Sequence, residues 1–227
     1  MPMFNVIIKR TEDIIFSLLI LVILSPILFL LCLVSFLTQG WPIFYVSRRM
    51  VTAKKEISIP KFRTMAKDAK NEKYGLERKY MKKGYLDIPL NSEVYTPLGR
   101  FMEKTQLVEV PQVILVLLGE MSFVGNRPLP KKNVDLLKEN FPDQWQKRFN
   151  APTGMTGVTQ IVGKLNLDAK QRLELESLYS DVYMNGNVLR ADVYIIFSTI
   201  ILVLLRGPGT YVSYNSAKKF LKSCIKK

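Results

Sequence analysis

The sequence has no histidine. That excludes imidazole as a general base and removes His-ligated zinc, so acid–base work must fall to carboxylates, Lys, Tyr or Cys. It has only two cysteines, Cys32 inside an apolar run and Cys224 in a basic tail. They argue against a disulfide framework and suit two unpaired thiols in a reducing compartment. Acidic residues are scarce, 19 against 33 Lys and Arg, for a net charge of +14 and a pI near 9.7. Such a balance calls for an anionic partner: nucleic acid, phosphorylated metabolites or an acidic membrane face. There is no P-loop, no GxGxxG, no CxxC pair, no internal repeat and no low-complexity linker. An aromatic–basic RNA motif and a helix-turn-helix signature are missing too, which makes nucleic acid the weakest of the three partners.

What the sequence does have is a long uncharged run from Ile14 to Leu37, IIFSLLILVILSPILFLLCLVSFL. A bilayer core takes roughly 20 apolar residues. No cleavage site is evident in the TQGWPIF that follows, so the run reads as a retained anchor rather than a signal peptide. Ser25 and Pro26 stand at its middle. Proline removes a backbone donor and kinks a helix, and a serine hydroxyl can satisfy the freed group. A kinked spanning helix and a re-entrant helix that dips into one leaflet and returns both fit. Basic residues flank both ends: Lys9 and Arg10 before, then Arg48, Arg49, Lys54, Lys55, Lys61 and Arg63 after. The positive-inside rule draws both flanks to the cytoplasm, which a single span cannot provide.

After the anchor, residues 41–65 read as short strands and turns, and the Lys-rich 66–92 as an exposed helix and loop. Thr96 is a natural N-cap with Pro97 at the first helical position. In LVEVPQVILVLLG, Pro111 places a helix start near Val110, and Gly119 suits its end. Glu109 therefore sits beside a helix N-terminus, where a carboxylate either caps the helix or binds a ligand. Residues 131–150 read as an amphipathic helix interrupted at Pro142, APTGMTGVTQIVG as loop and strand, and KLNLDAKQRLELESLYSDVYM as a helix. Val193–Leu205 reads as an interfacial or core helix too short for a second span. The tail alternates Lys218, Lys219, Lys222, Lys226 and Lys227 with Phe220, Leu221 and Ile225, a basic amphipathic pattern suited to an anionic leaflet.

Seven pieces fall in order: KR-x-x-D at 9–13, the run broken by Ser25-Pro26, KFRTM at 61–65, T-x-x-G-R at 96–100, EVPQ at 109–112, GEMSFVGNRP at 119–128 and GMTGVTQIVGK at 154–164. Over nearly the whole chain this resembles the bacterial sugar transferases, the monotopic phosphoglycosyl transferases. The resemblance implies transfer of a sugar-1-phosphate from a UDP-sugar to a polyprenol phosphate, usually undecaprenyl phosphate, with UMP leaving and Mg²⁺ as cofactor. Such a step begins assembly of a surface polysaccharide or glycoconjugate. It also implies an α+β fold. A re-entrant membrane anchor over 1–40, helix-break-helix at Ser25-Pro26, would precede a small, mostly helical domain over 41–227 with interfacial amphipathic helices. That domain would face the cytoplasm at the bacterial inner membrane, beside anionic lipids. The sugar, the glycan pathway and a homo-oligomeric state stay open.

The charge pattern agrees with two anionic substrates. Guanidinium groups bind phosphate oxygens bidentately, which nominates Arg63 and Arg127, with Lys61 as a point charge. Hard Mg²⁺ wants carboxylates, which nominates Glu109 and Glu120. The chain departs from the family pattern at one decisive place. Typical members carry Asp-Glu before Leu-Pro-Gln, the Asp being the nucleophile; here the first position is Val108, and valine cannot attack phosphorus. Glu103 stands where the family often has Arg, Ser92-Glu93-Val94 replaces Asp-x-Arg, Asn126 replaces the first Pro of Gly-Pro-Arg-Pro, and Glu120 replaces Asp. Either transfer proceeds by another route, with Glu109 or Glu103 as nucleophile or with direct attack by the lipid phosphate, or the chain binds these substrates without turning them over and regulates or scaffolds an active partner. A bare membrane-interaction role is disfavoured by the retained KFRTM, EVPQ and NRP.

Overall fold

The computed structural model describes residues 3–69, 71–82, 85–86, 88–163, 166–205 and 210–225. Helix α1 (Met3–Gln39) leads into strands β1 (Phe44–Met50) and β2 (Glu56–Phe62), which pair as a ribbon. Then come α2 (Leu76–Tyr80), the antiparallel pair β3 (Met81–Lys82) and β4 (Tyr85–Leu86), α3 (Pro97–Thr105), a 3₁₀ helix over Leu107–Gln112 and α4 (Val113–Leu117). Strand β5 (Ser122–Val124), α5 (Lys131–Asn140), a 3₁₀ helix over Trp145–Asn150, β6 (Gly154–Thr156), α6 (Val158–Val162), α7 (Ala169–Asn185), α8 (Val188–Leu205) and α9 (Tyr214–Cys224) complete the chain. Strands β5 and β6 pair in parallel, Ser122 opposite Gly154 and Val124 opposite Thr156. The chain is thus mixed, helix-rich with small two-stranded sheets. It divides into two compact units: Met1–Leu21, Arg48–Ser58 and Val113–Lys227 form the first, Val22–Ser47 and Ile59–Gln112 the second. Helix α1 contributes to both units.

Local chemistry accounts for most of these elements. Thr96 caps α3 by accepting from Gly99 N at 2.9 Å, with Pro97 at the first helical position. Asp168 and Gln171 form a reciprocal capping box at the start of α7. Gly119, at φ 82°, closes α4 in the left-handed region that glycine enters without penalty. The core of the first unit gathers Leu175, Tyr179 and Val182 of α7, Ile195 of α8 and Leu221 of α9 around Ile161 and Val162. In the second unit Leu31, Phe62, Met102 and Val108 form one apolar cluster and Ala69, Val94 and Tyr95 another.

Three features differ from the sequence-based expectation. First, Ser25-Pro26 does not interrupt α1, which is helical from Met3 to Gln39 with Pro26 inside. Pro26 lacks the N–H that would reach the carbonyl of Val22, and the Ser25 hydroxyl donates to that same oxygen at 3.0 Å. Second, α8 starts at Val188 rather than Val193 and reaches 18 residues, so that α1 and α8 both have the length and composition to cross a membrane. The polar Arg190 and Asp192 masked this start in the sequence; Asp192 is buried, held by Lys9 at 2.5 Å and by Tyr179 at 2.7 Å. Third, the basic tail does not keep its apolar face for a leaflet. Ala217, Leu221 and Cys224 of α9 are buried, Phe220 stacks on Tyr194 with ring centroids 3.9 Å apart, and Lys218 pairs with Glu174 at 2.6 Å. The apolar surface of α7 and α8 takes up that face. Lys226 and Lys227 lie outside the described residues.

Candidate active site

The KFRTM segment is a junction within the second unit. At the end of strand β2 Phe62 is buried against Leu31, Met102 and Val108, and the adjacent Lys61 projects to the other face of the strand. The Lys61 ammonium donates to Glu109 Oε1 at 2.5 Å, with side-chain exposures of 23% and 18%. Thr64 donates to Glu103 Oε1 at 3.0 Å, and its carbonyl accepts from Thr96 N at 3.0 Å. A Cβ on Gly99 would stand 1.9 Å from that carbonyl, so the glycine of T-x-x-G-R is what lets α3 pack on the KFRTM backbone. Arg63, nominated for phosphate, has a different use. Its Nε donates to Pro42 O at 2.8 Å and its Nη2 to Gln39 O and Gly40 O at 2.7 and 2.8 Å. These are carbonyls at and just beyond the end of α1, where a cation complements the helix terminus.

Glu109 lies on the 3₁₀ helix over Leu107–Gln112. Gln106, at φ 59°, ends α3 and turns the chain; Pro111 lacks the N–H for a continuing ladder. Residues three apart eclipse in a 3₁₀ helix, which puts Glu109 in line with Gln112. Gln112 is 3% exposed, and its Nε2 has no hydrogen-bond partner among the described residues. Val108 points elsewhere, 4% exposed within the apolar cluster of Phe62 and Met102. Glu109 is therefore the acid that this segment presents, with Lys61 as its counter-ion.

The other nominated residues belong to the first unit. Glu120 follows Gly119 and pairs with Lys55, both side chains well exposed, so that this pair contributes little to stability. Arg10 caps the end of α4, donating to Val116 O at 2.8 Å and Leu117 O at 2.7 Å. In GNRP, the Asn126 amide donates to Arg148 O, Glu176 O and Ser180 Oγ at 2.7–3.1 Å. The carbonyl of Arg127 accepts from Arg148 Nη2 at 2.7 Å. The backbone that carries Arg127 is thus fixed from beneath. Arg148 itself is fully buried and pairs with Glu176 at 2.7 Å. Sequence reasoning missed this pair, and missed Asp192 as the partner of Lys9. Nothing in QKRFN marks Arg148 for burial, and its partner lies on another helix. Burial first, and then the Asp192 carboxylate, push the Tyr179 hydroxyl well above its ordinary range, so it stays a donor to Asp192.

No three Asp, Glu, Cys or His side chains gather to hold a metal among the described residues. Mg²⁺ does not require such a cage; it keeps several waters and takes one or two carboxylates together with substrate phosphates. A single half-buried carboxylate at Glu109 fits that demand.

Comparison with known proteins agrees with these motifs. A model described as bacterial sugar transferase matches residues 4–206. An uncharacterized sugar transferase of Haemophilus influenzae is 34% identical over 209 residues, covering 90% of this chain and 42% of that protein. The undecaprenyl-phosphate galactose phosphotransferase of Salmonella typhimurium is 32% identical over 207 residues, 89% of this chain and 41% of its own. The exopolysaccharide production protein PSS of Rhizobium leguminosarum bv. phaseoli is 29% identical over 208 residues, 90% of this chain and 99% of its own. The chain spans about two fifths of the length of the first two and nearly all of the third.

Proposed function

The chain belongs to the bacterial sugar transferase family, and on that footing we propose that it transfers a sugar-1-phosphate from a UDP-sugar to undecaprenyl phosphate, releasing UMP. The relative from Salmonella carries a name of that class, and the charge of +14 suits two phosphorylated substrates. The Lys61–Glu109 pair carries the reading. It offers one carboxylate for a hard cation and, in its own counter-ion, a cation for a phosphate. A bound diphosphate would draw the Lys61 ammonium from Glu109 to its oxygens, and the Glu109 carboxylate would then be the group to hold the metal. Mg²⁺ bound there would offset the charge that develops as the bond to UMP breaks. Arg127 stays the guanidinium candidate for a phosphate contact in the first unit, while the Arg63 guanidinium already holds three carbonyls. Glu120 is the second metal candidate. Glu103, held by Thr64, is the other carboxylate on hand if transfer passes through a covalent step.

The same reading puts α1 into the bacterial inner membrane as a re-entrant anchor, with the rest of the chain on the cytoplasmic face. Polar contacts at its N-terminal end support it: Asn5 donates to Tyr183 O and Gly186 O, and Asp13 accepts from Ser122 Oγ and Phe123 N, which ties that end to the first unit.

The test is UMP release from a panel of UDP-sugars with undecaprenyl phosphate and Mg²⁺. Glu109→Gln is expected to abolish release, and Arg127→Ala to raise KM for one substrate. Near-normal turnover in Glu109→Gln would remove both the metal and the nucleophile role from that residue. No release by the parent with any sugar, while UDP-sugar still binds, would favour the non-transferring relative, a reading suggested by Val108 at the position beside Glu109.

A further inference from the structure

The segment that follows α1 exposes more apolar and aromatic surface than a water-facing turn needs. Trp41 is 68% exposed, Val46 54%, Tyr45 46% and Phe44 38%, and Leu37 on the last turn of α1 is 71% exposed. Within the second unit these residues continue the exposed apolar run of Ile27, Phe29, Leu30, Leu33 and Phe36 on α1. Large apolar side chains exposed in such number over one short stretch mark an interaction surface.

The patch is held in place. Gly40, at φ 67°, bends the chain out of α1, its N–H bonding Phe36 O at 2.9 Å. The Arg63 guanidinium then ties Gln39 O, Gly40 O and Pro42 O together. Phe44 stacks on the buried Phe62, ring centroids 5.2 Å apart. The aromatic segment therefore keeps a set position at the end of the apolar helix. Its residue types point to one kind of partner. Trp and Tyr have an apolar body and a polar edge, and they concentrate at the headgroup level of bilayers. The exposed Lys67 lies against Gly40, its Nζ 3.8 Å from where a Cβ would stand, at the polar margin of the patch. A cation beside exposed Trp and Tyr suits the phosphate of an anionic headgroup.

We propose that residues 41–46 form an interfacial collar that sits in the headgroup layer of an anionic bilayer, with Trp41 as its anchor and Lys67 as its headgroup contact. The proposal rests on the membrane reading of α1 given above. It assigns lipid contact to this segment, where α9 has its apolar face buried.

The protein has two tryptophans, Trp41 and Trp145. Trp145 is half-buried beside Phe149 in the first unit, so Trp145→Phe leaves Trp41 as the only reporter. The difference between the parent and Trp41→Phe isolates the same signal without touching Trp145. The protein is reconstituted into vesicles of phosphatidylcholine and phosphatidylglycerol, floated on a gradient, and its Trp41 emission is quenched by acrylamide or by lipids brominated at shallow or deep acyl positions. The collar predicts a blue-shifted emission, quenched most by shallow bromines and little by acrylamide, and a weaker shift when Lys67→Glu opposes the headgroups. Flotation with water-like emission that acrylamide quenches would overturn the collar and leave the anchor standing. Quenching mainly by deep bromines, or protection from every quencher as a second copy would give, overturns it equally. Failure to float sinks the anchor and the collar together.

Discussion

Val108 shows how a single position decides what its neighbour can do. On the 3₁₀ helix it faces the cluster of Leu31, Phe62 and Met102, while Glu109 faces Lys61. An acid at 108 would be thrust into that cluster or would have to turn the helix. Val108→Asp is therefore expected to lower stability by roughly 3–5 kcal/mol, because a buried carboxylate without a partner is costly. Val108→Ala, which only leaves a small cavity, should lose on the order of 2 kcal/mol. Chemical unfolding of the two variants in the same detergent measures the difference; equal losses would mean that the site is open enough to hydrate an acid. The opposite case is Arg63. Its residue type suggests phosphate, and its partners turn out to be three carbonyls at the end of α1. A guanidinium that fits a phosphate fits a helix C-terminus equally well, and no local pattern distinguishes the two.

Among the elements, α3 shows a motif read correctly in place but not in purpose. Thr96 and Pro97 announce the start of the helix, and the structure has them as cap and first residue. Gly99 reads in sequence as a weak point in a helix. In the structure it is the contact at which α3 meets the Thr64 carbonyl. Gly99→Ala sets two effects against each other. Alanine raises helix propensity by about 1 kcal/mol. A methyl 1.9 Å from a backbone oxygen forces α3 and the KFRTM segment apart, and such overpacking costs typically about 1–3 kcal/mol or more. The clash should win, with a lower unfolding midpoint and weaker turnover, since Lys61 and Glu109 ride on the two segments that part. A raised midpoint would show that α3 can shift without cost. Helix α9 carries the complementary lesson. Its lysines and apolar residues fit a membrane-surface helix and a core helix alike, and only the presence of α7 and α8 beneath it decides between them.

For the molecule as a whole, the re-entrant reading of α1 turns on the Ser25-Pro26 step. Ser25 bonds the carbonyl that Pro26 leaves free, so this point of the helix is satisfied without the regular backbone ladder and can bend at low cost. Replacing both residues by alanine restores the ladder and should favour a straight spanning helix. Labelling of a cysteine placed near the N-terminus, from the cytoplasmic side of inverted vesicles, is expected to succeed in the parent and fail in Ser25→Ala/Pro26→Ala. Equal labelling in both would mean that the Ser-Pro step does not set topology. The flanking charges are a weaker guide than their number suggests. Lys9 is buried with Asp192 and Arg10 caps α4, so part of the positive flank is spent inside the protein.

The sequence by itself determined the long apolar run of α1, the absence of imidazole chemistry, the strong basic charge, the caps of α3 and the family. All of these follow from composition, from short-range spacing or from ordered motifs, and none needs distant residues to meet. Tertiary structure alone decided that Lys61 serves Glu109, that Arg63 serves the end of α1, that Asp192 is buried among Lys9 and Tyr179, and that α9 belongs to the core. The physical reason is the same in each case. The use of a charged or amphipathic side chain is set by what the fold brings within hydrogen-bond or packing distance of it, and those partners lie far along the chain, where no local pattern encodes them.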